Sequence, residues 1–92
     1  VVDLARHRVT VEEAEVHLTP TEFKLLALLA RHPGRVLTHR ALLEAVWGRA
    51  HGVDTHHLRV AMHGLRHKLE REPGRPRYIL TEPGVGYRLT ES

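Results

Sequence analysis

Imidazole and guanidinium groups crowd one stretch of this chain, DTHHLRVAMHGLRHKL, from Asp54 to Leu69. Within it Leu58, Met62, Leu65 and Leu69 recur at helical spacing and mark one buried stripe. At about 100° per residue, His56, Val60, His63 and His67 fall on the opposite side, with Arg59 and Arg66 on a flank. Such a helix, anchored by a narrow apolar stripe, suits insertion into the major groove of duplex DNA. Arginine and histidine donate to phosphate oxygens and base edges, and Val60 can touch a thymine methyl. The same pattern also fits a solvated amphipathic helix whose polar face does nothing specific.

These side chains admit two other chemistries. His63 and His67 stand at i, i+4, a spacing able to chelate Zn²⁺, and His56 lies about two turns before His63. A structural zinc wants about four protein ligands, and the chain has no cysteine and no HExxH pattern. No metal or other cofactor is expected. Catalysis finds no footing either, because no nucleophile–base set, phosphate loop or paired carboxylates can be placed.

Charge is distributed unevenly. Residues 1–22 carry two basic and five acidic side chains, net −3, whereas residues 23–92 carry twelve basic and six acidic, net +6. The basic excess lies with the helical part, as a polyanion-binding face requires. The nine histidines add charge below about pH 6.5, so binding to DNA is expected to tighten on acidification. Without cysteine, disulfide and thiolate chemistry are excluded. No apolar run approaches the roughly 20 residues of a membrane span, and no signal peptide is visible. These features point to a cytoplasmic domain without membrane attachment. The opening VVDL lacks an initiator methionine, so the chain is expected to be a piece of a longer protein.

The elements that position the helix follow from caps and periodicity. Val9 and Val11, then Val16 and Leu18, alternate with polar neighbours around a Glu12-Glu13-Ala14 turn, and Val1, Val2 and Leu4 supply a further edge strand. Thr19-Pro20-Thr21-Glu22 combines a capping threonine, an N-terminal proline and a capping-box glutamate. The helix it opens buries Phe23, Leu26, Ala27 and Ala30, widened by Leu25, Leu28 and Leu29, and ends at His32-Pro33-Gly34. Val36 and Leu37 are enough for a short bridge or strand. Thr38 caps a second helix with Ala41, Leu42, Ala45 and Val46 inward, stopping near Trp47-Gly48. Gly48 to Val53 reads as a loop, and Asp54 or Thr55 caps the third helix, which runs to about Arg71. Arg77 to Thr81, a turn over Glu82 to Gly86, and Tyr87 to Leu89 form a hairpin.

The expected fold is α+β, a single domain over 1–92. A small N-terminal antiparallel sheet (1–18) precedes a three-helix core (19–72) and a C-terminal β-hairpin wing (77–90). This is the winged variant of helix-turn-helix, with its recognition helix at about 55–70 in the major groove and the hairpin on the minor groove or backbone. LTPTEFKLLALLARHPGRVLTHRALLEAVWG, HHLRVAMHGLRHKLE and PRYILTEPGVGYRL together resemble the DNA-binding (effector) domain of OmpR/PhoB-type response regulators, with GRVLTHRALLEAVWG and RPRYILTEPGVGYR nearest the KdpE-like branch. The resemblance covers about residues 16–90.

That resemblance implies a transcription regulator of a two-component system, with an N-terminal receiver absent from this chain and phosphorylated by a sensor histidine kinase. It implies a head-to-tail pair of domains on a direct-repeat operator. It places His56, His57, His63, Gly64 and Arg66 in the DNA-contacting stretch, and Trp47 and Tyr87 at backbone phosphates. The chain departs from arginine-rich members at His63, Gly64 and Pro83, so their base preferences do not carry over. The DNA-binding set expected here is therefore Trp47, His56, His57, Arg59, Val60, His63, Gly64, Arg66, His67 and Tyr87. A polymerase-contacting loop is expected at Gly48, Arg49, His51 and Gly52.

Each of these has a plainer role. Arg66 also reads as half of a surface salt bridge to Glu70 at i+4, and Trp47 and Tyr87 as packing aromatics. Two rival readings of the whole chain remain at this stage. One is a winged-helix protein–protein adaptor without DNA binding, which the basic asymmetry opposes. The other is a His-based metal-responsive module.

Overall fold

The computed structural model describes residues 2–48 and 55–90. β1 (Val2–Asp3), β2 (Arg8–Val11) and β3 (Ala14–Val16) form an antiparallel meander. Val9 faces Val2 on one side and Val16 on the other, and it is the residue of this sheet that seals the core, at 3% exposure. The β2–β3 turn is tighter than the sequence suggests. Glu12 and Glu13 alone make it, both at positive φ (50° and 69°), and Ala14 pairs with Val11 inside the ladder.

The first helix, α1 (Pro20–Ala30), begins as its residues dictate. The Glu22 N–H donates to Thr19 Oγ1 at 3.2 Å, and the Thr19 N–H donates to Glu22 Oε1 at 3.0 Å, so two of the helix's orphan donors are satisfied reciprocally. Its buried face is centred on Leu25, Leu26, Ala27 and Leu29. Phe23, Leu28 and Ala30 sit at the margin, half-buried, so the stripe is rotated from the one expected.

The second helix, α2 (His39–Trp47), is capped by Thr38 Oγ1, which accepts from the Ala41 N–H at 3.0 Å. It stops where Gly48 turns to φ 74°. Leu42 is buried, with Leu43, Val46 and Trp47 packed against the core. Ala41 and Ala45 face solvent, contrary to the sequence reading. A helix this short buries its larger side chains first, and small alanines do not decide its phase.

The third helix, α3 (Thr55–Leu69), packs on both others. The wing then follows as β5 (Ile79–Glu82) and β6 (Gly86–Leu89). It is three-stranded, because β4 (Leu37–Thr38) joins it in the order β4-β6-β5, with Leu37 opposite Tyr87 and Thr38 opposite Gly86. Gly86 makes that possible. A Cβ there would overlap the Leu37 carbonyl oxygen and stand 2.9 Å from Thr38 Cα. Pro83 and Gly84 (φ 73°) form the tip, closed by the Val85 N–H donating to Glu82 O at 3.0 Å. The His39 N–H donates to Val85 O at 3.2 Å and ties the wing to the start of α2.

Candidate nucleic-acid interface

The inward stripe of α3 is the one its spacing predicts: Leu58, Met62, Leu65 and Leu69 are at most 5% exposed. Each such side chain contributes about 1.5–3 kcal/mol through burial, and together they set the helix's rotation. His56, His57, Arg59, Val60, His63 and His67 are thereby left exposed, and Val60 keeps 58% of its surface. α3 contains no acidic residue. Among the described residues, no carboxylate pairs with Arg59, His63 or His67. The His63 and His67 rings lie 4.3 Å apart at 57°, and the His56 and His57 rings 6.4 Å apart at 74°.

Gly64 and Arg66 are placed differently from the other α3 residues of the expected set. Gly64 faces α1, and a Cβ there would come within 2.6 Å of Glu22 Oε2. The missing side chain leaves room for the Glu22 carboxylate, whose Oε1 also accepts from Lys68 Nζ at 2.6 Å. Burial pushes the Glu22 carboxyl upward. The hydrogen bond from the Lys68 ammonium and the Thr19 N–H outweigh it, and the group ends below its ordinary value of 4.5.

Arg66 does not meet Glu70, as the spacing of the two suggests. It is half-buried and reaches the wing instead, where Nη2 donates to Ile79 O at 2.9 Å and to Thr81 Oγ1 at 2.6 Å. Its guanidinium carbon also stands 5.3 Å from the centre of the Tyr87 ring. Glu70, buried, accepts from the N–H groups of Arg77, Tyr78 and Ile79 at 2.8–3.2 Å. Thr81 has no sequence signal, and Glu70, one turn after Arg66, reads from the sequence only as a salt-bridge partner of that arginine.

Tyr87 is core, at 5% exposure, with the His39 ring edge-on at 5.5 Å. Its hydroxyl has no partner among the described residues and is not sequestered. That oxygen is the part of Tyr87 open to a ligand. Trp47 closes α2 half-buried against the core, and its indole N–H is likewise unpaired and not sequestered. Gly48 is exposed at the helix end, whereas Arg49, His51 and Gly52 lie outside the described residues. Among the described residues, no three His, Cys, Asp or Glu side chains converge as a metal site, and no helix is long and apolar enough to cross a membrane.

Comparison with known proteins gives this geometry a family. The family described as "Transcriptional regulatory protein, C terminal" matches residues 13–89. The KDP operon transcriptional regulatory protein KdpE of Escherichia coli K12 is 53% identical over 88 residues, which is 96% of this chain and 39% of that protein. The response regulator MtrA of Mycolicibacterium smegmatis is 45% identical over 87 residues, 95% of this chain and 38% of its own length. The chain thus spans about two fifths of these relatives. Among solved structures, DrrB of Thermotoga maritima, an OmpR/PhoB homologue, superposes with a TM-score of 0.89 at 35% identity over 97% of this chain and 40% of that one. The DNA-binding domain of Klebsiella pneumoniae RstA, solved with the RstA box, gives 0.85 at 30% identity, covering 97% of this chain and 88% of that one. The family match over residues 13–89 and the identity to these relatives make this chain a member of the transcriptional regulatory C-terminal domain family, of the OmpR/PhoB winged-helix type, and the KdpE-like branch fits it.

Proposed function

We propose that the chain binds double-stranded DNA sequence-specifically as the effector domain of a two-component response regulator, and through it controls transcription. The observation that carries this is the free face of α3. It is an exposed surface of His56, His57, Arg59, Val60, His63 and His67, on a helix that contributes no acidic residue and whose other side is locked into the core. α3 enters the major groove, and the wing meets the minor groove or backbone. Base readout falls to Val60, His63 and their neighbours. Phosphate contacts from Arg59 and neighbouring basic groups supply much of the affinity and its salt dependence, and the Trp47 indole N–H and the Tyr87 hydroxyl add uncharged donors to phosphate.

The wider assembly is carried over from the family resemblance, and the chain's span of about two fifths of its relatives is consistent with it. A receiver domain phosphorylated by a sensor histidine kinase precedes this domain in a longer cytoplasmic protein. Two copies sit head-to-tail on a direct repeat, and the segment after Gly48 meets RNA polymerase. The role is binding, without catalysis.

The test is fluorescence anisotropy with duplex DNA from upstream of the chain's own operon against a scrambled duplex, across a salt series. Sequence-dependent binding whose log K falls linearly with log salt is the expected result. Arg59→Glu, an exposed change that breaks no internal contact, is expected to abolish binding. If Arg59→Glu binds like the parent, α3 is not the reading surface.

A further inference from the structure

α3 and the residue that follows it grip the wing by both polar groups of a single strand residue. Ile79 is fully buried, and its N–H donates to Glu70 Oε2 at 2.9 Å while its C=O accepts from Arg66 Nη2 at 2.9 Å and Nε at 3.3 Å. Arg66 and Glu70 stand one turn apart on the helix side, so the pair holds β5 much as a neighbouring strand would. The free edge of β5 is thereby paired to side chains in place of backbone. Thr81 Oγ1 extends the grip by one ladder step, and the Tyr87 ring on the next strand backs the guanidinium. The strongest hydrogen bonds in such a cluster are those with a charged partner, and here they join the two elements expected to meet DNA.

We infer that Arg66 is a positioning residue. Its planar fork fixes the angle between recognition helix and wing, so that both meet the duplex as one rigid reader. This rests on the DNA-binding reading above and deepens it. Specificity then depends on the fork and not on the positive charge alone, because a lysine cannot hold Ile79 O through two nitrogens and Thr81 at once.

The test compares Arg66→Lys, Arg66→Met and Thr81→Val on the operator duplex and on a scrambled one, well below each variant's unfolding temperature. A positioning role predicts that both arginine variants lose about tenfold of the operator-to-scrambled ratio, the scale of one mismatched base pair. Arg66→Lys should keep its affinity for the scrambled duplex, since its charge is intact. Thr81→Val, which leaves the arginine in place, should shift the ratio in the same direction. A merely structural role would lower unfolding temperature and leave the ratio alone. A direct phosphate contact would instead let lysine rescue binding, while methionine weakens both duplexes equally and reduces the salt slope by about 0.9. Either result overturns the inference.

Amide hydrogen exchange in the free protein decides the clamp independently of DNA. Arg66→Lys should speed exchange across Ile79 to Glu82 and leave α1 unchanged. Unaltered wing exchange overturns the inference. A parent that shows no operator preference sinks the DNA-binding reading instead, and wing exchange still reports on the clamp.

Discussion

Glu22 serves two structures at once, as the capping acceptor of α1 and as the partner that Lys68 finds from α3. Its folded-state pKa is lowered despite burial, because the Lys68 ammonium and the Thr19 N–H favour the charged form. A lowered carboxylate pKa stabilises the fold fully above the ordinary value of 4.5, and the contribution is lost as pH falls through the folded value. Glu22→Gln keeps an acceptor at the capping position and removes only the charge. It should cost about 1 kcal/mol at neutral pH, with Lys68 partly solvated. Urea unfolding of both proteins should show that gap near pH 7 and a smaller one well below pH 4.5. A gap of equal size at both pH values would assign the loss to shape and not to charge. Gly64 belongs to the same account, since its lack of a side chain admits this carboxylate.

At the scale of elements, the legible parts were those whose signal is repeated or local. The α3 stripe comprises four large side chains in phase, and the Thr19–Glu22 capping box is complete within four residues. What escaped was decided by distant partners. A short strand at Val36-Leu37 was legible, but its joining the wing as β4 by pairing with β6 was not. Gly86, read as a turn residue, is required by the approach of Leu37. Gly86→Ala should therefore cost about 3 kcal/mol or more by forcing β4 away, visible as a large drop in unfolding temperature. The free face of α3 was legible for the same reason as its stripe. The inward placement of Gly64 and the Arg66 and Glu70 contacts with Ile79 were not, because spacing along one helix says nothing about a strand ten residues away. The β2–β3 turn yields a prediction of opposite sign. Glu13 sits at φ 69°, where a Cβ is strained, and its neighbour Glu12 is held by Arg71 at 2.9 Å. Glu13→Gly should stabilise the domain by about 0.5–1 kcal/mol. No gain in urea midpoint would mean that the turn is not strained.

Across the described residues of the whole molecule, several acidic side chains are engaged by cations elsewhere than on the exposed face of α3. Glu12 holds Arg71, Glu22 holds Lys68, Glu44 holds Arg40 and Glu82 holds Arg88. Glu12, in the turn of the N-terminal sheet, thus offsets Arg71 just beyond α3, and α3 itself contributes no carboxylate beside its imidazoles and Arg59. Histidines on such a face are expected to make DNA affinity depend on pH. Imidazoles ordinarily gain charge as pH falls through about 6.5, and each proton placed beside a phosphate adds a counterion-releasing contact. Binding to the operator should therefore tighten between pH 8 and 6 at fixed salt, with a steeper salt slope at the lower pH. His63→Gln with His67→Gln should flatten both trends while leaving binding at about pH 8 largely intact, since neutral imidazole and amide carry the same charge. An affinity that stays level across that range in the parent would mean that the histidine face lies clear of the phosphates. The docking would then have to be rotated about the α3 axis, bringing the Arg59 side toward the backbone.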